Sequence, residues 1–348
     1  MIEALAGNLC RCTGYRSIID AAMQSTESFQ SETCIDETKN IISQLKAIHA
    51  QSFSGYQLNN KSYVAPENIQ QLSQYLLDNP KSTLVSGGTD LALTVTQNLA
   101  EIDQLVYLGN VEELNHICED LEAITIGSAV VYSEFESVLA KSYPELGAMI
   151  ERIGSTQIRN TGTLGGNIGN ASPIGDMPPA LIALQARMKL QLGNDTREIA
   201  LEEYFTGYKQ TLLQESEFIK EIIIPKPSPT QILKVYKISK RFDDDISAVL
   251  VACSIQLENN HVKTISIAFG GMAAMPMRAK NCEACLRDKP FIQEHINLAK
   301  QALETDFNPM SDVRASAAYR MKVAQNVIQR FYLELNDGIN LSRVVDYA

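Results

Sequence analysis

Residues 161–179 read T-G-T-L-G-G-N-I-G-N-A-S-P-I-G-D-M-P-P. Four glycines, Gly162, Gly165, Gly166 and Gly169, fall within eight residues, interleaved with Thr163, Asn167 and Asn170. A residue without Cβ admits positive φ and lets a second backbone or a ligand approach closely. Threonine and asparagine add polar groups on short side chains. Such a stretch suits a phosphate-bearing ligand, which needs several backbone N–H groups turned toward it. No glycines stand at i, i+2 and i+5 as in a dinucleotide fingerprint, and no Gly-Lys-Ser/Thr follows as in a nucleotide-triphosphate loop. A tight, well-packed turn with no ligand explains the composition equally well.

A second glycine turn resolves that choice. Residues 82–86 read as a short strand, with Gly87-Gly88-Thr89-Asp90 at its end. The apolar run Leu91-Ala92-Leu93 then reads as a helix start capped by Thr89 or Asp90. Two such turns at strand ends can close around one long diphosphate ligand.

The 348 residues suffice for about two or three domains. With 45% hydrophobic and 20% charged residues, the composition is that of an ordinary soluble protein. The net charge of −11 argues against nucleic acid or an anionic membrane as a partner. No apolar run approaches the ~20 residues that span a bilayer, and no basic-then-apolar signal region opens the sequence. Seven scattered cysteines, an odd number, fit a reducing cytoplasm. The Asn-x-Ser/Thr triplets at Asn60, Asn170 and Asn194 therefore carry no glycosylation meaning.

Taken in order, residues 24–39 are polar and lack a core face, and residues 41–50 show only weak helical periodicity, so 29–50 read as a linker. From 51 to 228 strands and helices mix: strands at 62–65, 84–86, 105–108, 123–127, 188–192 and 218–224, helices at 68–78, 144–153 and 180–185. Ser133 and Glu136 stand at capping-box spacing, which predicts a helix start there. Beyond 229, alternation at 233–238, an almost continuous apolar strand at 246–257 and alternation at 262–269 precede helices near 278–286 and 292–303. A long amphipathic helix at 315–335 carries Ala318, Met321, Ala324, Val327, Ile328 and Phe331 at helical spacing. The pattern is α+β rather than a regular βαβ alternation, ending in a sheet with helices on one face.

Residues 84–91 (L-V-S-G-G-T-D-L) and 163–176 (T-L-G-G-N-I-G-N-A-S-P-I-G-D) resemble the two flavin-binding loops of the xanthine dehydrogenase and molybdenum hydroxylase family. Residues 268–273 (A-F-G-G-M-A), Arg278-Ala279, 314–320 (R-A-S-A-A-Y-R) and 330–334 (R-F-Y-L-E) resemble its C-terminal flavoprotein domain and favour the xanthine dehydrogenase branch. The resemblance implies a two-part FAD-binding domain of the p-cresol methylhydroxylase/vanillyl-alcohol oxidase type over 51–228. An α+β domain like that of the CO dehydrogenase flavoprotein follows over 229–348. It further implies a cytoplasmic FAD subunit that passes electrons from iron–sulfur clusters to NAD+ during purine oxidation. Hydroxylation itself then belongs to a large molybdopterin-binding subunit, in a dimer of heterodimers, and no catalytic acid or base is expected in this chain. Two alternatives stand: a non-catalytic FAD-binding or assembly fragment, and the FAD subunit of an aldehyde- or nicotinate-type hydroxylase.

Cys10 and Cys12, in G-N-L-C-R-C-T-G-Y (7–15), are too few for an iron–sulfur cluster, which takes about four ligands, and only Cys34 lies near. By resemblance they match the last ligand pair of a helical 2Fe–2S domain, with 18–23 as its closing helix. Residues 1–28 then read as a remnant of that domain. The cluster is expected in a full-length relative and not here.

The resemblance puts Leu84, Val85, Ser86, Gly87, Gly88, Thr89, Asp90 and Leu91 on the FAD diphosphate and ribityl chain. It puts Thr163, Gly166, Asn167 and Asp176 at the second loop, with Asp176 on the adenosine ribose side. Ile153 matches an adenine-contacting position that the family often fills with an aromatic. Lys237 matches a lysine near the flavin, where a cation favours the anionic reduced form. Read alone, Lys237 is an exposed strand lysine. The charge run at 240–245 (K-R-F-D-D-D) reads alone as a solvated loop. By resemblance it matches a loop that governs nicotinamide access. Cys282 and Cys285, spaced C-x-x-C on a predicted helix with no second pair, read as core thiols.

Overall fold

The computed structural model describes residues 3–5, 7, 14–27, 32–49 and 55–336. Cys10 and Cys12, the expected partial cluster ligands, lie outside them. Tyr15–Glu27 is helical where a closing helix was expected at 18–23. Within 29–50, expected as a linker, Glu32–His49 is a helix. Ile41, Ile42, Leu45 and Ile48 on it are exposed. Among the described residues, no helix is long and apolar enough to cross a membrane.

The first sheet has four strands. Gly55–Leu58 and Lys61–Val64 form a hairpin turning at Asn59, whose φ is 55°. Gln104–Tyr107 runs parallel to Lys61–Val64 on one side and to Thr83–Val85 on the other. Thr83–Val85 is therefore an edge strand. Helix Ile69–Asp78 lays Ile69, Leu72 and Leu76 against Val106 and Leu108. Its first turn is capped by Asn68, whose side chain accepts from Gln71 N–H at 2.9 Å.

A second, antiparallel sheet runs Ile117–Glu119, Ala123–Gly127, Phe218–Pro225, Arg187–Leu192, Asp195–Ala200 in spatial order. Helices Tyr132–Ser142, Pro144–Ile150 and Met177–Ala183 bury their apolar faces in its core. The capping box is not made: the helix starts at Tyr132 with Val131 at the cap, which puts Ser133 inside its first turn. The glycine stretch is not all loop either, since Leu164–Gly169 is a six-residue helix.

The third sheet pairs Gln231–Ile238, Val249–Glu258, His261–Gly270 and Met277–Arg278, all antiparallel. Alternation splits it between two cores. Leu233, Val235, Leu250, Ala252 and Ala268 join the core of the second sheet. Tyr236, Val249, Val251, Cys253 and Phe269 face the helices Gln293–Asp306 and Ala317–Asn336. Burial on both faces explains the continuous apolar run in the middle strand. That strand begins at Val249 rather than 246, and Met277–Arg278 extends the sheet where a helix start was expected. Arg320, 2% exposed, ties the last helix to the sheet. Its Nη1 donates to Ala248 O and Gly271 O, and its Nη2 to Asp312 Oδ2 at 2.7 Å.

Candidate functional site

The edge strand Thr83–Val85 delivers the first turn. Val85 O accepts from Leu108 N–H at 2.8 Å, so the strand is anchored on its inner side only. The chain then turns through Ser86 to Asp90, with Gly88 at φ 67°, into the short helix Leu91–Thr96. Asp90 occupies the cap position, but its side chain makes no capping bond, contrary to the sequence expectation. None of the amides of residues 86–91 donates to an acceptor among the described residues. A run of open N–H groups is an arrangement suited to an anion.

Gly87 brings the two glycine segments together. A Cβ on it would lie 1.8 Å from Thr161 O and 2.9 Å from Gly162 N. A Cβ on Gly162 would stand 3.5 Å from Thr89 Oγ1 and 3.6 Å from the Tyr132 ring. The first backbone passes so close to the second that only glycine fits.

The second segment is held from behind. Tyr132 N–H donates to Gly162 O at 3.0 Å, Leu164 N–H to Val130 O at 3.2 Å, and Gly165 N–H to Ser128 O at 3.0 Å. Thr163 caps the helix, its Oγ1 accepting from Gly166 N–H at 3.1 Å. Three glycines make a poor helix by propensity, and here the cap and the packing on Ser128 override it. Asn167 Oδ1, Ser128 Oγ and the Tyr132 hydroxyl are buried with no hydrogen-bond partner among the described residues. Burial pushes the Tyr132 hydroxyl's pKa well above its ordinary value, and the charge of Asp176 adds to the effect.

Gly175 and Asp176 close the stretch. A Cβ on Gly175 would stand 3.6 Å from Asn167 Oδ1. Asp176 Oδ2 accepts from Lys237 Nζ at 2.5 Å, and Oδ1 accepts from Ser247 Oγ at 2.5 Å. Lys237 is not the exposed lysine that its strand alone suggested: its side chain is 1% exposed. It lies two residues beyond Val235, on the sheet face that joins the core of the second sheet.

Ile153 is placed by a third segment, in a turn before Gly154 (φ 57°), partly buried against the main core. The buried Arg159 fixes that turn, donating to Glu151 O at 2.8 Å and Gly154 O at 3.0 Å. The charge run at 240–245 is bonded rather than merely solvated. Arg152 stacks 4.2 Å over the Phe242 ring and donates to Phe242 O at 3.0 Å, while Asp244 accepts from Gly7 N–H at 3.2 Å. Ser247, Tyr132 and Ser128 escaped the sequence reading, because nothing in their neighbours marks one serine or tyrosine as site-facing. Cys282 is core, as expected, its thiol pKa pushed up by burial, and Cys285 packs partly buried beside it.

Residues 54–227 match the family described as FAD binding domain in molybdopterin dehydrogenase, and residues 234–335 match the CO dehydrogenase flavoprotein C-terminal domain. The chain belongs to this family of molybdopterin dehydrogenase flavin-binding proteins. It is 29% identical to a xanthine dehydrogenase of Emericella nidulans over 95% of its own length, but spans only 28% of that protein. It is 28% identical to the glyceraldehyde dehydrogenase medium chain of Sulfolobus acidocaldarius, covering 79% of this chain and 98% of that one. Its fold superposes on a chain of the carbon monoxide dehydrogenase from Hydrogenophaga pseudoflava with a TM-score of 0.74, at 26% identity over 79% of this chain and 96% of that one.

The residues present fit the cofactor that the family's description names. The open amides of 86–91 suit its diphosphate. Close glycine backbones leave room where side chains would intrude, and the unpartnered Asn167 oxygen calls for a donor that no described protein group supplies.

Proposed function

We propose that this chain carries the FAD of a xanthine dehydrogenase-like molybdenum hydroxylase. The observation that carries this reading is the apposition of the two glycine segments at Gly87, beside amides with no acceptor among the described residues. In it, the N–H groups of residues 86–91 hold the diphosphate, and Ser86, Thr89, Thr163, Gly166 and Asn167 line the path of the ribityl chain. Lys237 supplies a buried cation toward the flavin ring, Asp176 stands beside it, and Ile153 lies toward the adenine. When bound, FAD would supply the junction between one-electron transfer from iron–sulfur centres and two-electron hydride transfer to NAD+. The protein supplies binding, orientation and charge. Residues 51–228 form the flavin domain and 229–348 the closing domain. A large molybdopterin-binding subunit, in a dimer of heterodimers, would oxidise the purine.

The medium-chain relative favours a second reading, in which the same flavin module serves an aldehyde-type hydroxylase, because the match spans 98% of that separate subunit. Reconstitution with FAD followed by anaerobic NADH tests the common part. Retained flavin that bleaches on NADH supports an electron-transfer subunit, whereas failure to retain FAD overturns it. Retained flavin that NADH leaves oxidised points to a non-catalytic module. Assembly with the partner subunit, assayed on xanthine and on an aldehyde, separates the two enzymatic readings.

A further inference from the structure

Asp176, Lys237 and Ser247 form a closed set of side chains at the junction of the two domains, each less than a tenth exposed. Lys237 Nζ donates to Asp176 Oδ2 at 2.5 Å and to Ser247 Oγ at 3.0 Å, and Ser247 Oγ donates to Asp176 Oδ1 at 2.5 Å. Asp176 comes from the glycine stretch. Lys237 stands near the end of one strand and Ser247 two residues before the strand paired with it, held there by Ala248 N–H donating to Ile238 O at 2.8 Å. The backbones around them are pinned as well. Gly271 N–H donates to Pro173 O at 2.8 Å, and a Cβ on Gly270 would stand 3.2 Å from Pro179 and 3.5 Å from Gly175 O.

This geometry changes what the cation can do. A lone buried ammonium would act at full strength on charge appearing nearby, since little solvent screens it. With a carboxylate in contact, the field at a distance is that of a dipole. Each Asp176 oxygen accepts one hydrogen bond from this set. Asn167 Oδ1, close to the adjoining Gly175, is a buried acceptor with no partner among the described residues.

We propose that Asp176 and Ser247 are positioning residues for Lys237, fixing its ammonium in one place and offsetting its charge, so that bound flavin meets a compensated pair rather than a bare cation. The inference rests on the reading that FAD is held here.

The test is the ratio of affinities for reduced and oxidised FAD, measured as the flavin's midpoint potential in the reconstituted full chain. In Asp176→Asn the uncompensated ammonium should favour reduced FAD by about tenfold or more, a positive shift of about 30 mV for a two-electron couple. Adding Lys237→Met to that variant should cancel the shift. Ser247→Ala should move the potential and Ser247→Thr, which keeps the hydroxyl, should restore it. An unmoved potential in Asp176→Asn, or in Ser247→Ala, overturns the proposal. Melting of the apoproteins gives a second measurement: each single neutralisation should cost more than the double, since it strands a buried charge. Additive losses overturn the pairing. Wild-type protein that takes up no FAD defeats the functional reading and this inference together, whereas FAD bound with an unmoved potential defeats this inference alone.

Discussion

A methyl group on Gly87 would overlap Thr161 O, so Gly87→Ala must part the two glycine segments. The expected cost is about 1–3 kcal/mol of stability, as for other overpacked sites, with a clear loss of FAD affinity. Denaturant unfolding and a flavin titration check both. Gly169→Ala is the control: its Cβ would meet Ile219 at an ordinary 3.5 Å, so stability and affinity should hold. Tyr143 makes a separate prediction. Burial pushes its pKa from 10.0 up to about 12, and its hydroxyl donates to Pro225 O at 2.6 Å. Because the folded value is the raised one, this stabilisation is complete below about pH 10 and is lost as pH rises toward 12. Tyr143→Phe should flatten that part of the stability–pH curve, and an unchanged slope would show that Tyr143 does not cause it. At this scale the sequence was legible where glycines cluster and silent where burial decides. Lys237 reads as exposed from its own strand, and only the domain packed over that face makes it a site residue.

Elements were read better in kind than in their ends. The helix expected at 68–78 was found at Ile69–Asp78, with Asn68 as a cap that the reading had not singled out. Ser133 and Glu136 had the right spacing but the wrong register: Tyr132 N–H, tied to Gly162 O, fixes the backbone before the serine can cap it. Leu164–Gly169 was read as loop because its glycines oppose helix formation, while the Thr163 cap and the contact with Ser128 lie outside local propensity. The helix Ala317–Asn336 was legible from period, but its anchor was not. Arg320→Met should cost at least about 2 kcal/mol, since Ala248 O and Gly271 O lose their buried donor. Arg320→Lys should recover only part, because an ammonium cannot fork to both carbonyls and Asp312. Equal stability of the lysine variant and the parent would contradict this.

At the scale of the whole molecule, the central fact is a sheet shared between two cores. Leu233, Val235, Leu250, Ala252 and Ala268 face one, and Val249, Val251 and Cys253 the other. Residues 229–336 expressed alone should therefore bind an apolar dye and melt without cooperativity, while the full chain unfolds in one transition. A soluble, cooperative fragment would show that the interface is dispensable. The sequence announced both halves through composition and periodicity, yet not their contact, because a two-faced apolar strand looks the same whatever covers it. That contact is what sets Asp176 on Lys237, while the glycine stretch meets the turn at Gly87 within the first half. Hydrogen exchange of the full chain with and without FAD tests this arrangement most directly. The account predicts that amides of residues 86–91 and 162–167 slow together at one FAD per chain. Slowing in one segment without the other, or in neither, would contradict it.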